Sequence, residues 1–176
     1  MRRIVTGHRE GKSVFMGDGE PPNVLRMEGF PDFEMAELWA TEGVSLVPWG
    51  GVDPTQEMKS LVPEPGGTRF RVVSYPVDNG TGEIGAGSKR VGQEGLARMP
   101  GLAERLEAED PAMHTTDTVD YGVVISGEIW LELDDGVQLH LKQGDCVVQN
   151  GTRHAWRNRG LGPCVMAFVM VGASRR

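Results

Sequence analysis

The sequence predicts an all-β fold, a sandwich or closed barrel of short antiparallel strands, and three observations carry that prediction. Short apolar runs recur at close spacing from residue 118 onward, and glycine-bearing turns separate them. Asp134–Asp135–Gly136 stands between two alternating runs, a strong hairpin signal. No regular alternation of strand and helix patterns is present, which excludes a parallel α/β design. The 25 glycines and 11 prolines fall between the apolar runs and mark turns rather than a helical bundle.

The chain divides near residue 67 and again near residue 112. Residues 1–67 form an N-terminal extension with strands expected at Arg2–Gly7, Lys12–Met16 and Glu34–Ala40. Phe33, Met35 and Leu38–Trp39 are its expected buried set, and Trp39 and Trp49 read as core or interface aromatics. Residues 68–77, TRFRVVSYPV, set Phe70, Val72 and Ser74 against Arg71, Val73 and Tyr75, a strand pattern. The glycine-rich stretch from Asp78 to Gly95 reads as a loop, since the Gly85–Gly87 pair lacks the third glycine of a dinucleotide turn. Leu96, Met99, Leu102 and Leu106 are spaced three to four apart, so two helical turns, or one short helix starting at Pro100, are expected there. Strands then follow at about 118–126, 128–134, 137–142, 145–149, 153–158 and 163–171.

Charge and composition limit the function. Eighteen basic against 25 acidic residues leave a formal charge of −7, unsuited to a nucleic-acid partner. No apolar run approaches the roughly 18 residues that cross a bilayer. The N-terminus lacks the apolar core of a signal peptide. Cys146 and Cys164 make no disulfide framework and, in apolar strand contexts, read as buried structural thiols. A cytoplasmic protein is the expectation.

Four histidines are present, and two of them stand beside strands. Side chains two apart on a strand share a face, so His114, Thr116, Thr118 and Asp120 form one set and His154, Trp156 and Asn158 another. If both sets face one barrel interior, two imidazoles and a carboxylate converge. That donor set with open positions suits Fe, Mn, Ni or Zn as a divalent ion. Asn158 is expected to fix a turn. Tyr121 is expected to point away from the Asp120 face, and His8 and His140 to lie on the surface.

The spacing resembles the two motifs of the cupin superfamily. His114, Asp120 and Gly127 match the first His, the acidic position and the closing glycine of the first motif. Gly144, Gly151, His154 and Asn158 match the second motif. The resemblance covers about residues 68–172 and implies a double-stranded β-helix, a jelly-roll barrel with residues 1–67 packed on it or extending it. HTTDTVDYGVVISGE with GTRHAWRN is also similar to a subgroup found in bacteria and in fungal secondary-metabolite clusters. Three positions depart from the pattern: Thr116 replaces the second His, Asp120 shortens the Glu, and Gln149 replaces the turn proline. Thr116 could coordinate weakly, bond a bound water, or leave a position open to substrate.

The resemblance implies a metal-dependent enzyme acting on a small carbonyl- or carboxyl-bearing metabolite, as a decarboxylase, dehydratase, isomerase or dioxygenase. His114, Asp120 and His154 would hold the metal, Asp120 and His154 would act in catalysis, and Thr116 and Trp156 would contact substrate. A metal-free acid–base enzyme and a non-catalytic small-molecule binder are the alternatives. A homodimer is expected, because pairing covers exposed strand edges.

Overall fold

The computed structural model describes residues 1–27, 30–78, 97–110 and 112–176. Its strands are β1 (Arg3–Arg9), β2 (Lys12–Gly19), β3 (Asn23–Met27), β4 (Phe30–Thr41), β5 (Thr68–Tyr75), β6 (Thr118–Ser126), β7 (Glu128–Glu132), β8 (Gln138–Lys142), β9 (Cys146–Asn150), β10 (Ala155–Arg157) and β11 (Cys164–Gly172). They form a six-stranded sheet in the order β3-β4-β5-β11-β6-β9, a three-stranded sheet β10-β7-β8, and the hairpin β1-β2. Every pairing is antiparallel. The fold is all-β, as the turn pattern implied.

Turn chemistry sets the registers. Glu10 and Gly11 both take positive φ, 51° and 75°, and close β1 onto β2 as a two-residue loop. At Asp135 (58°) and Gly136 (69°) the chain reverses between β7 and β8, and Leu133 N–H donates to Val137 O at 2.8 Å.

The core follows from strand alternation. Val73 of β5, Met166 of β11 and Val124 of β6 lie in one cross-strand row. They join Ile129, Leu131, Leu141 and Trp156 of the smaller sheet in a single buried cluster. Ile129, Cys164 and Met166 have no exposed surface at all. Each fully buried aliphatic side chain of this kind stabilises the fold by roughly 1.5–3 kcal/mol.

The opposite face of the large sheet is also apolar. Phe70, Val169, Tyr121 and Val148 lie in register across β5, β11, β6 and β9, and all four are exposed. The neighbouring outward positions on these strands, among them Val119, Val123, Val165, Ala167 and Val171, carry no charge either.

Three expectations are corrected. Of the two forms expected near Pro100, the single helix is not formed: Gly101 takes φ 79°, Pro100 O is taken by Leu61 N–H at 2.8 Å, and separate helical turns stand instead at residues 97–98 and, as a 3-10 turn, at Ala103–Arg105. Cys146 is exposed, because it opens β9 on the outward face, whereas Cys164 is buried. The extension contains β3, hidden from a periodicity reading by the prolines before it. The glycine-rich stretch from Asn79 and Leu96 fall outside the described residues. Among the described residues no helix is long and apolar enough to cross a membrane.

Candidate functional site

His114 lies in an extended segment that precedes β6, and His154 precedes β10. The two are antiparallel bridge partners: His114 N–H donates to His154 O at 2.9 Å and His154 N–H to His114 O at 3.0 Å. Opposed residues of an antiparallel pair point to the same side, so the rings meet with centroids 4.3 Å apart.

Two guanidinium clamps hold the segments together. Arg153 donates from Nε and Nη2 to both Glu107 oxygens at 2.6 and 2.7 Å, a bidentate pair. Arg157 binds the Asp110 carboxylate in the same forked manner. The clamped stretch joins back to the site through the Leu106–His114 bridge and the Glu107 N–H to Met113 O bond.

Both imidazoles are fixed in one tautomer. Nδ1 of His114 bonds Ala112 O at 3.0 Å and Nδ1 of His154 bonds Thr152 O at 2.9 Å. A carbonyl only accepts, so each Nδ1 carries the hydrogen and each Nε2 keeps a bare lone pair. Burial lowers the His154 pKa to about 4, helped by neighbouring His114, and burial likewise lowers that of His114. Both rings are neutral bases at physiological pH.

The other expected residues take distinct places. Thr116 and Thr118 are buried with their hydroxyls 2.8 Å apart. Asp120 is buried on the inward face of β6, with Oδ1 lacking a hydrogen-bond partner. Burial raises its pKa, against the opposing pull of the Thr118 hydroxyl and Arg71. Trp156 is core and also packs edge-on to His154 at 5.8 Å. Asn158 fixes a turn, donating to Tyr75 O and Gly162 O and accepting from Gly160 N–H. Tyr121 and His140 are exposed, and His140 stacks on Trp130.

The donor chemistry fits a divalent cation. Two pinned, neutral imidazoles are ligand-ready, and a buried carboxylate oxygen without a partner accompanies them. The structure joins the two histidines directly, but not Asp120 with them: among the described residues no group of three His, Cys, Asp or Glu side chains lies close enough to hold an ion.

Three inward-facing residues escaped the sequence reading. Arg71 and Glu37 are both buried, with Arg71 Nε 2.9 Å from Glu37 Oε1. The signal was present in TRFRVVSYPV, where Arg71 shares a face with Val73 and Tyr75. Gln149, opposite Asp120 on β9, is also buried, and its Nε2 lacks a partner. A groove of about 840 Å³ beside Phe33, Glu34, Val72 and Val165 includes neither imidazole among its lining residues.

Comparison with known proteins agrees with this architecture. The cupin domain family matches residues 104–171. Phomopsin biosynthesis cluster protein C' of Diaporthe leptostromiformis is 34% identical over 164 residues, spanning 89% of this chain and 70% of that protein. The cupin-domain-containing oxidoreductase virC of Hypocrea virens is 46% identical over 62 residues, 34% of this chain and 32% of its own length. A putative ethanolamine utilization protein Q of Salmonella typhimurium LT2 covers 99% of this chain and 98% of its own, at 10% identity and a TM-score of 0.45. The identity and span of the phomopsin-cluster relative, with the matched domain, make this chain a member of the cupin superfamily.

Proposed function

We propose that this protein is a divalent-metal-dependent enzyme acting on a small carbonyl- or carboxyl-bearing metabolite. The observation that carries the reading is the His114–His154 pair, two buried imidazoles bridged backbone to backbone with both Nδ1 atoms committed and both Nε2 atoms free. Relatives named as cupin-domain-containing oxidoreductases support an enzyme and favour oxidation within the decarboxylase, dehydratase, isomerase and dioxygenase range.

His114 and His154 would hold the ion, with the buried Asp120 on the inward face of β6 as the acid of the set. A divalent cation there supplies Lewis acidity toward a carbonyl oxygen. The chain itself does the rest. Ala112 O and Thr152 O keep the two rings oriented. Asp120, its carboxyl pKa raised by burial, would move a proton inside the barrel. Thr116 and Trp156, the latter edge-on to His154, would contact the substrate.

Purification without a polyhistidine tag, reconstitution and elemental mass spectrometry test the reading. One ion per chain is expected, lost in His154→Ala while the circular dichroism spectrum is unchanged. Sub-stoichiometric metal after reconstitution contradicts it and leaves the metal-free acid–base enzyme, with Asp120 as the acid, in its place.

The same reading includes a homodimer. An antiparallel sheet with one face in water alternates apolar and polar residues, yet the outward face of β5, β11, β6 and β9 is uncharged throughout. Such a face is self-complementary about a twofold axis and suits a second copy of this chain.

A further inference from the structure

Two buried arginines share the inward face of β5, and they differ in what they bind. Arg69 has a partner at every nitrogen: Nε donates to Ser60 O, Nη1 to Thr41 O and Thr68 O, and Nη2 to the Glu42 carboxylate at 2.6 Å. Its role is to tie the chain ends around β5 together. Arg71, one pleat further along, is not saturated. Its Nη2 donates to Leu61 O and its Nε stands 2.9 Å from Glu37 Oε1. That ion contact is misaligned, so Arg71 Nε and both Glu37 oxygens lack a hydrogen bond. Nη1 has no partner among the described residues.

A guanidinium carries five N–H donors in a planar fork that matches a carboxylate. Burying one with donors unused is expensive, and a partly satisfied buried polar network marks a place where another group belongs. Arg71 is 4% exposed, and its charge is felt at Tyr75, His114 and Asp120. Its register partner Phe168 packs on Trp156 at 5.5 Å, and Trp156 meets His154 at 5.8 Å, so Arg71 faces the same interior as the imidazole pair. Glu37, 1% exposed on β4 directly opposite, holds the guanidinium from behind. Phe168, next to Arg71 on β11, lies over Gly122, where a Cβ would meet the ring at 3.0 Å. The wall beside the guanidinium is thus aromatic and uncharged.

We propose that Arg71, backed by Glu37, binds the carboxylate of the substrate inside the barrel, so that the substrate class is a small organic acid rather than a neutral carbonyl compound. This rests on the barrel interior being the substrate site. It makes Arg71 a binding residue, distinct from the groups that would hold a metal ion.

The test compares butyrate with butyramide, a matched anion and neutral amide, by calorimetry on the full chain freed of metal. The wild-type protein is expected to prefer butyrate by about tenfold, the worth of one charge-assisted hydrogen bond. Arg71→Gln alone strands the Glu37 charge and destabilises the barrel, so the second variant is the double substitution Arg71→Gln, Glu37→Gln, which removes both charges and leaves two neutral amides that can bond each other. It is expected to stay folded and lose the preference. Equal affinity for the two probes, no butyrate binding by wild type, or a preference that survives in the folded double variant overturns the proposal. His114→Ala separates this from the metal reading: it is expected to abolish metal uptake and to leave the butyrate preference intact. Wild-type protein that takes up no metal on reconstitution yet keeps the butyrate preference overturns only the proposed metal dependence.

Discussion

Asp120 and Gln149 stand opposite each other across β6 and β9, both buried, and each keeps one polar atom without a partner: Oδ1 of the aspartate and Nε2 of the glutamine. An unmatched buried polar atom costs about 1–3 kcal/mol. A core selected for stability alone would not retain the aspartate there. Asp120→Asn keeps the shape and removes the ionisable group that burial disfavours. The variant is expected to unfold at the same midpoint as wild type or higher in a thermal melt, while catalytic turnover falls at least about a hundredfold, as for a lost general acid–base group. A large drop in melting temperature would mean that the carboxylate serves the fold instead.

The Arg153–Glu107 clamp sits one residue from His154 and holds the stretch that carries His114. Both partners are partly exposed at the surface, so the pair contributes little to global stability. Arg153→Ala is expected to leave the melt nearly unchanged and to weaken metal affinity about tenfold, because the two rings lose their alignment. Competition with a chromophoric chelator measures it.

Asp110 gives the acid response. The hydrogen bond from Arg157 holds its carboxyl below the usual carboxylate range. A depressed folded-state pKa stabilises the native state above the unfolded value of about 3.9, and that contribution disappears as pH falls through the folded value. Asp110→Asn is therefore expected to be less stable than wild type at pH 7, by about 1 kcal/mol or less given the partial exposure of the pair. The two melting curves converge in acid. A difference that grows below pH 4 would refute this sign.

Gly127 turns β6 into β7 at φ 79°, and a Cβ there would lie 2.6 Å from Pro163 O and 3.0 Å from Cys164 Cα. Gly127→Ala combines backbone strain with a clash against backbone that has nowhere to move. Chemical denaturation is expected to show a loss of about 2 kcal/mol or more.

The uncharged outer face is tested by Val169→Asp, at the centre of the row between Phe70 and Tyr121. Light scattering coupled to size exclusion is expected to give a dimer for wild type and a monomer for the variant. A wild-type monomer refutes the pairing.

Much of this was readable in the sequence, for identifiable reasons. The strand β6 matched residue for residue, because its alternation and the glycine after it are both unambiguous. Its neighbours missed by one or two residues at their ends, where alternation gives no stop signal. The meeting of His114 and His154 depends on a long-range bridge that no local pattern encodes, and it was reached through motif spacing. Arg71 was placed on the correct face by alternation, yet a lone arginine in a strand reads as a snorkelling surface residue until Glu37 is seen opposite it. Near Pro100 the leucine spacing leaves two helical turns and one short helix equally open, and Gly101, whose positive φ ends any helix, decides for separate turns.

The central claim is that His114 and His154 share one ion through their Nε2 atoms. Anomalous diffraction from crystals of metal-reconstituted protein, collected at the absorption edge of the bound element, tests it most directly. The expected result is a single strong peak about 2.0–2.2 Å from both Nε2 atoms. A peak elsewhere in the barrel, or none between the two rings in fully loaded crystals, would contradict it.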